Sequence, residues 1–336
     1  MKNTFLILFA LLFFFSCQRD NPGTYKYKEG FLPESPVNLE DFNTKYDDYN
    51  STAPTKGRLI PFCFSSNRNS FGENFDIIYK PMNINFDKFT GVLEVMNNYL
   101  DWDVFFNRFE EVKKGLKKIN TQENELGPNA ITGYDFNDFI YTVLYASDIK
   151  GNYDIYFTSN KTNKDFSEVK PVEFLNSNFD DLYPTLNEDQ SKIFFCSNRD
   201  NNNFNIFSTT INTPTASLEE ILSDSSNHLI IKETTISSAY DDKCPFIFKN
   251  ILIFTSNRPG GFGGYDLYYC RFENGNWSNP VNFGAKINTE NDEYRPILFD
   301  EEVSFTQTMM VFSSNRTGGK GGFDLYFVGI DNKLIE

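Results

Sequence analysis

The chain of 336 residues carries 46 acidic and 31 basic side chains, a formal net charge of −15. A nucleic-acid partner requires a basic footprint to neutralise phosphates; the one basic run is Lys113 to Lys118, so that class of partner is set aside. Aromatic residues make up 17%, with 37 Phe and 18 Tyr; such residues favour pleated, half-buried surfaces and are scarce in disordered chains, which points to a folded, strand-rich protein.

Residues 1–17 read MKNTFLILFALLFFFSC: one Lys, an apolar run from Phe5 to Phe15, then Ser16 and Cys17. The run is shorter than the ~20 apolar residues of a membrane-spanning helix, so residues 1–16 are predicted to be a signal peptide. A Cys directly behind such a run resembles the bacterial lipobox, which implies a lipid on the Cys17 thiol. Residues 17–30, polar and containing Pro22 and Gly23, are the predicted lipidated N-terminus and tether.

From residue 31 to 336 one hairpin recurs. It is clearest as FTSNRPGGFGGYDLYYC (Phe254 to Cys270) and FSSNRTGGKGGFDLYFV (Phe312 to Val328), and weaker at Phe62 to Tyr79, Leu144 to Phe157 and Phe194 to Ser208. Each copy follows a Pro-Val segment or its equivalent, an acidic loop and a Pro-started strand, so the unit holds four short strands. Aligned Ser147, Ser197, Ser256 and Ser314 are separated by 197 − 147 = 50, 256 − 197 = 59 and 314 − 256 = 58 residues, an interval that suits a β-propeller blade. The first interval, 147 − 66 = 81, requires an insertion near 85–116. There Val104, Phe105, Phe109, Val112 and Leu116 follow helical spacing, although Trp102 stands where Trp277 stands and allows an extended blade strand instead. The predicted fold is all-β: a single propeller of five four-stranded blades, six being the alternative if one blade is eroded. Pro36 to Leu39 is expected to pair beside Phe323 to Ile330 and close the ring, removing its open strand edges.

The Pro-started strand, F-x-S-N-R, glycine-rich turn and Y-D-L-Y together resemble the WD40-like repeat of TolB-type propellers and of Bacteroidetes outer-membrane lipoproteins, over roughly residues 35–330. Ala146-Ser147-Asp148 replaces the S-N-R triplet in the second copy. The usual Pro-Asp-Gly turn is absent, with Asn187 to Lys192 and Lys249-Asn250 in its place. The resemblance implies a cell-envelope location, lipid-anchored to the outer membrane through Cys17 and facing the periplasm or the surface. It implies a non-catalytic role, binding or scaffolding another envelope protein. Direct peptidoglycan binding is not expected, because no OmpA-type segment precedes Glu336.

Asn67-Arg68, Asn198-Arg199, Asn257-Arg258 and Asn315-Arg316 lie on turns expected to share a face with acidic loops such as Asp180-Asp181, Asp241-Asp242 and Asp292-Glu293. Arginine forks suit carboxylates, so each is expected to brace an acidic loop, and the face as a whole is the candidate partner-binding surface. Asp76, Asp154, Asn205, Asp266 and Asp324 recur before the strand that follows the turn, where a short side chain accepts backbone N–H groups. Calcium takes similar oxygen ligands, but Asn205 fits hydrogen bonding better, and no metal or cofactor is expected. The glycines of these turns precede a strand rather than a helix, so they do not form a phosphate cradle. Cys63, Cys196, Cys244 and Cys270 match no zinc spacing and read as buried thiols; Cys244 and Cys270 are the first pair to check for a disulfide.

His228 is the single histidine, which removes multi-histidine metal sites, and no G-x-S-x-G elbow is present. A propeller glycosidase needs only a carboxylate pair in its funnel. A catalytic acid is expected to break the repeat symmetry, and none stands out. The expectation is therefore a protein that is not an enzyme and has no catalytic residue. The alternatives are a glycosidase and a surface carbohydrate- or peptide-binding lipoprotein, the latter marked by exposed aromatics on the loop face.

Overall fold

The computed structural model describes residues 25–53, 59–98, 108–135, 138–161, 165–200, 202–211, 217–299 and 305–335. The leader, Cys17 and Trp102 lie outside them. The described residues form five antiparallel sheets of a propeller. Blade 1 is β2 (Asp48–Thr52), β3 (Leu59–Ser66), β4 (Asp76–Phe86) and β5 (Leu93–Met96); blade 2 is β6 (Glu125–Asp135), β7 (Asp138–Ser147), β8 (Asp154–Lys161) and β9 (Lys170–Pro171). Blade 3 is β10 (Asp181–Leu186), β11 (Lys192–Ser197), β12 (Asn205–Thr210) and β13 (Ile231–Lys232). Blade 4 is β14 (Asp242–Phe248), β15 (Ile251–Ser256) and β16 (Asp266–Glu273), with β17 (Asn276–Trp277) and β18 (Val281–Asn282) both on β16. Blade 5 is β19 (Glu293–Phe299), β20 (Gln307–Ser314) and β21 (Asp324–Asp331), completed by β1 (Val37–Asn38) from the other end of the chain. Val37 pairs with Phe327 and Asn38 with Tyr326, so the ring closes as the strand order required.

The innermost strands β2, β6, β10, β14 and β19 each touch the next, and β19 touches β2. The second strands are mainly apolar and end in Ser. All six residues of β15 are buried, because each sheet is covered on both faces by its neighbours. Helix α1 (Arg108–Ile119) forms where Phe109, Val112 and Leu116 follow helical spacing, not the alternative extended strand, and Val112, Leu116 and Ile119 bury its apolar stripe against Tyr79, Tyr141 and Phe166. The outer strand of blade 1 is instead β5. The Pro-started strand also needs revision. Each innermost strand begins three residues before its proline position, and the proline sits within a β-bulge at Pro128, Pro184, Pro245 and Pro296. A residue without an N–H is tolerated there because the ladder is already interrupted.

Every blade begins on a polar pair: Asp47-Asp48, Asn124-Glu125, Asp180-Asp181, Asp241-Asp242 and Asp292-Glu293. The first member joins two blades. Its side-chain oxygen accepts the N–H of the aromatic residue that precedes the previous blade's third strand (Phe323, Phe75, Tyr153, Phe204 and Tyr265 respectively) at 2.7–3.1 Å. The carbonyl of that aromatic residue accepts the second member's N–H at 2.7–2.8 Å. The second member holds its own blade together. Its buried carboxylate accepts a Ser or Thr N–H four residues upstream, from Thr44, Thr121, Ser177, Ser238 and Thr289. In four blades it also binds Arg68, Arg199, Arg258 or Arg316. Each of these arginines adds a bond to the serine of its own triplet and to a loop carbonyl; Arg258 donates to Ser256 at 3.0 Å and to Ile236 at 2.7 Å.

Blade 2 departs from this scheme. Glu125 pairs with Ser147 as Asp48 pairs with Ser66, so the triplet is Ser147-Asp148-Ile149, one residue later than the sequence alignment of Ala146-Ser147-Asp148. The Asp/Asn partners are exchanged: Asp148 accepts both the N–H and the Nδ2 of Asn124, each at 2.8 Å, where Asn67 Oδ1 accepts the N–H of Asp47. The arginine is replaced by Ile149, and Glu125 has none.

Removing one partner of a buried ion pair leaves the other charge uncompensated, at a cost of about 3–5 kcal/mol. Asp242→Ala is therefore expected to lower unfolding free energy by ~3 kcal/mol, read as a shift in the urea midpoint at unchanged slope. A shift no larger than that of an exposed control such as Glu290→Ala would show that the latch does not hold the blade.

Candidate functional site

The axis of the ring is built by the bulges. The third residue of every innermost strand has a left-handed backbone: Asn50 (φ 56°), Gly127 (φ 57°), Tyr183 (φ 55°), Cys244 (φ 55°) and Arg295 (φ 46°). A bulge re-aims the side chain it carries, and here contacts run between blades that are not neighbours. Asn50 Nδ2 lies 3.4 Å from the Tyr183 hydroxyl, Arg295 stacks 5.4 Å from the Tyr183 ring, and Arg295 Nη2 donates to the Pro128 carbonyl at 3.1 Å. A Cβ at residue 127 would sit 2.2 Å from the Tyr183 ring, so Gly127 makes room for that ring. Side chains of non-adjacent blades thus meet across the axis at this level, and no carboxylate converges on it among the described residues.

Above this plug, on the face of the SNR-type turns, the mouth is aromatic. Tyr49 and Tyr294 form its inner wall with Leu126, Leu182 and Lys243. Around them stand Phe75, Tyr153, Phe204, Tyr265 and Phe323, all half-buried. Ring centroids lie 4.9 Å apart for Tyr49–Phe75, 5.7 Å for Tyr49–Phe323, 5.2 Å for Tyr265–Tyr294 and 6.2 Å for Tyr294–Phe323. Lys243 Nζ is 4.3 Å from the Phe204 centroid and 5.2 Å from that of Tyr265. Phe71, Phe179, Tyr240 and Phe262 stand exposed on loops of the same face. Two acidic residues flank Tyr265: its hydroxyl donates to Asp241 at 2.7 Å and its N–H to Asp292 at 2.8 Å. Burial alone raises the Asp241 carboxyl, but the Phe204 N–H, the Tyr265 hydroxyl and Lys243 together hold it below the usual carboxylate range.

The residues singled out in the sequence lie nearby with other partners. Arg68, Arg199, Arg258 and Arg316 are directed into their own blades; Arg199, Arg258 and Arg316 each lie against two aromatic rings about 5 Å away, and Arg68 lies against Phe64. Asn67, Asn198, Asn257 and Asn315 bond the acidic loops. Asp266 accepts from Phe262 and Gly263, and Asp324 from Lys320 and Gly321. Asp76 and Asp154 accept from Asn69 and Asn152, and Asn205 donates to the Asn203 carbonyl. Cys63, Cys196, Cys244 and Cys270 are free and buried, with no bridge between Cys244 and Cys270. His228 stacks on Phe174 at 4.0 Å and contacts Asp224. Sequence reasoning missed the collar, although a signal was present: an aromatic residue directly precedes Asp76, Asp154, Asn205, Asp266 and Asp324 in every copy.

Glu125 is the carboxylate that breaks the repeat. It is fully buried beneath Thr121 and Ser147, and burial pushes its pKa up to about 7, against hydrogen bonds from those two residues that lower it.

No protein-family model and no curated protein matches the sequence. In fold the chain is a five-bladed propeller similar to solved structures. One is an α-L-arabinofuranosidase from Podospora anserina in complex with cellotriose, at 10% identity over 92% of this chain and 97% of that one, with a TM-score of 0.51. Another is a GH62 hydrolase in complex with xylotriose, at 9% identity over 92% and 100%, with a TM-score of 0.52. A putative TolB from Agrobacterium tumefaciens is matched at 11% identity over 90% and 93%, with a TM-score of 0.40, too weak a likeness to decide a family. At these identities the likeness establishes the fold alone. It nevertheless corrects the expectation that the chain is not an enzyme, because glycoside hydrolases are built on this fold. A glycosidase needs neither histidine nor a serine elbow, only carboxylates, so the lack of those motifs gave no ground for excluding catalysis.

The pH dependence of stability follows from Glu125. Its folded pKa lies above the ordinary carboxylate value, so its contribution is fully present below about pH 4.5 and is lost as pH rises through about 7. Glu125→Gln, which cannot ionise, is expected to gain thermal stability relative to the native protein between pH 4.5 and 7.5 and to show little difference at pH 4. Melting curves across that range check this; a pH-independent difference would mean that Glu125 does not titrate there.

Proposed function

We propose that this chain is a carbohydrate-directed propeller that takes a glycan at the aromatic mouth and hydrolyses it there. The observation that carries the reading is the collar itself. Half-buried rings on a rigid scaffold offer flat apolar faces for sugar rings, with Tyr hydroxyls, Lys243 and acidic oxygens at the edge for hydroxyl groups. The carboxylate pair that glycoside hydrolysis requires is assigned to Asp241 and Asp292, the two rim residues flanking Tyr265. The oligosaccharides named with the structurally similar hydrolases, cellotriose and xylotriose, set the first substrates to test.

With a panel of xylo-, cello- and arabino-oligosaccharides, the native protein is expected to bind at least one by calorimetry and to release shorter sugars. Tyr294→Ala is expected to weaken binding roughly tenfold. Asp241→Asn is expected to lower turnover at least ~100-fold while binding is retained. Turnover unchanged in Asp241→Asn would remove that assignment, and a native protein that neither binds nor cleaves any member would overturn the proposal.

The reading includes a lipid anchor at Cys17, supported by the position of that residue directly behind the apolar leader. Cys17→Ser is expected to move the protein from the membrane fraction to the soluble envelope fraction; continued membrane retention would rule the anchor out.

A further inference from the structure

Arg295 is fully buried on the propeller axis, in a setting without a counter-charge. Its Nη1 and Nη2 reach only backbone carbonyls, Pro245 at 3.4 Å and Pro128 at 3.1 Å, and its Nε has no acceptor. No acidic side chain pairs with it among the described residues. The titratable groups that face it are the Cys244 and Cys196 thiols and the Tyr183 hydroxyl. Burial pushes Cys244 up to about 12 and raises Cys196 and Tyr183 as well, so all three are neutral at physiological pH. A guanidinium does not escape burial by losing its proton, and an unpaired buried charge is costly.

The groups around it are neutral: the two thiols and the Tyr183 hydroxyl, which accepts from Asn50 Nδ2 at 3.4 Å. A cation is excluded by charge, and a bulky anion by burial. We infer that the axial channel binds a small inorganic anion, chloride being the abundant one, against Arg295. On the face opposite the aromatic mouth, a cavity of about 190 Å³ includes in its lining Asn129 and Phe246, the residues directly after the two prolines whose carbonyls hold the guanidinium. The site is separate from the proposed glycan mouth and does not depend on it.

The test uses the full chain in chloride-free buffer. At constant ionic strength set with gluconate, adding chloride or bromide is expected to raise the melting temperature in a saturable way, by roughly 5 °C at saturation. Arg295→Met is expected to abolish the dependence. In case that variant does not fold, crystals of the native protein soaked in bromide are expected to show an anomalous peak beside Arg295. A native melting temperature insensitive to halide, the same dependence in Arg295→Met, or bromide peaks confined to the surface would each overturn the inference.

Discussion

The structure depends on how two adjacent polar residues start each blade. A propeller blade is a small sheet that cannot bury its faces alone, so five of them must be held in register around one axis. The pair at Asp241-Asp242 and its equivalents meets both needs within two residues. One side chain takes a backbone N–H of the preceding blade, and the next takes its own blade's arginine and a loop N–H. Backbone donors at a sheet edge would otherwise be buried without partners. The latch therefore explains why the acidic residues recur so regularly in a chain with a net charge of −15, and why most of them are unavailable for chemistry.

Where the latch is altered, the alteration is compensated in part. Blade 2 exchanges Asp and Asn between positions 124 and 148 and keeps the reciprocal bonds. Ile149 stands where the other blades have arginine, and burial pushes the Glu125 carboxyl up to about 7. A departure from the repeat thus changes the chemistry of the residue at that position. The same logic holds on the axis, where five equivalent left-handed positions carry five different residue types, and where Gly127 yields space to Tyr183.

The mouth combines two consequences of this architecture. The aromatic residue before each third strand is fixed by its backbone bonds to the next blade, which leaves its ring half-exposed around the axis. An aromatic surface of largely edge-packed rings results from bonds made for closure, not from a separate loop. Tyr49 and Tyr294, supplied by the innermost strands, extend that surface to the centre.

Much of the fold was legible in the sequence. The recurring S-N-R and Y-D-L-Y halves announced four-stranded units, their spacing announced blades, and Pro36 to Leu39 announced the closing strand; local patterns and turn chemistry are enough for these because every unit repeats them. The strand limits around the prolines and the triplet of blade 2 were misplaced, since a bulge adds one residue without changing composition. The latch had a signal in FNTKYDD, INTQENE, LNSNFDD, ISSAYDD and INTENDE, but not the division of labour between its two acids, which depends on which backbone lies opposite. The mouth had a signal only in the aromatic residue before each third strand, and the plug had none. Arg295, Tyr183 and Asn50 are far apart in the chain and meet only because the ring closes, and whether a buried guanidinium faces a carboxylate or a set of neutral groups is decided by that meeting alone.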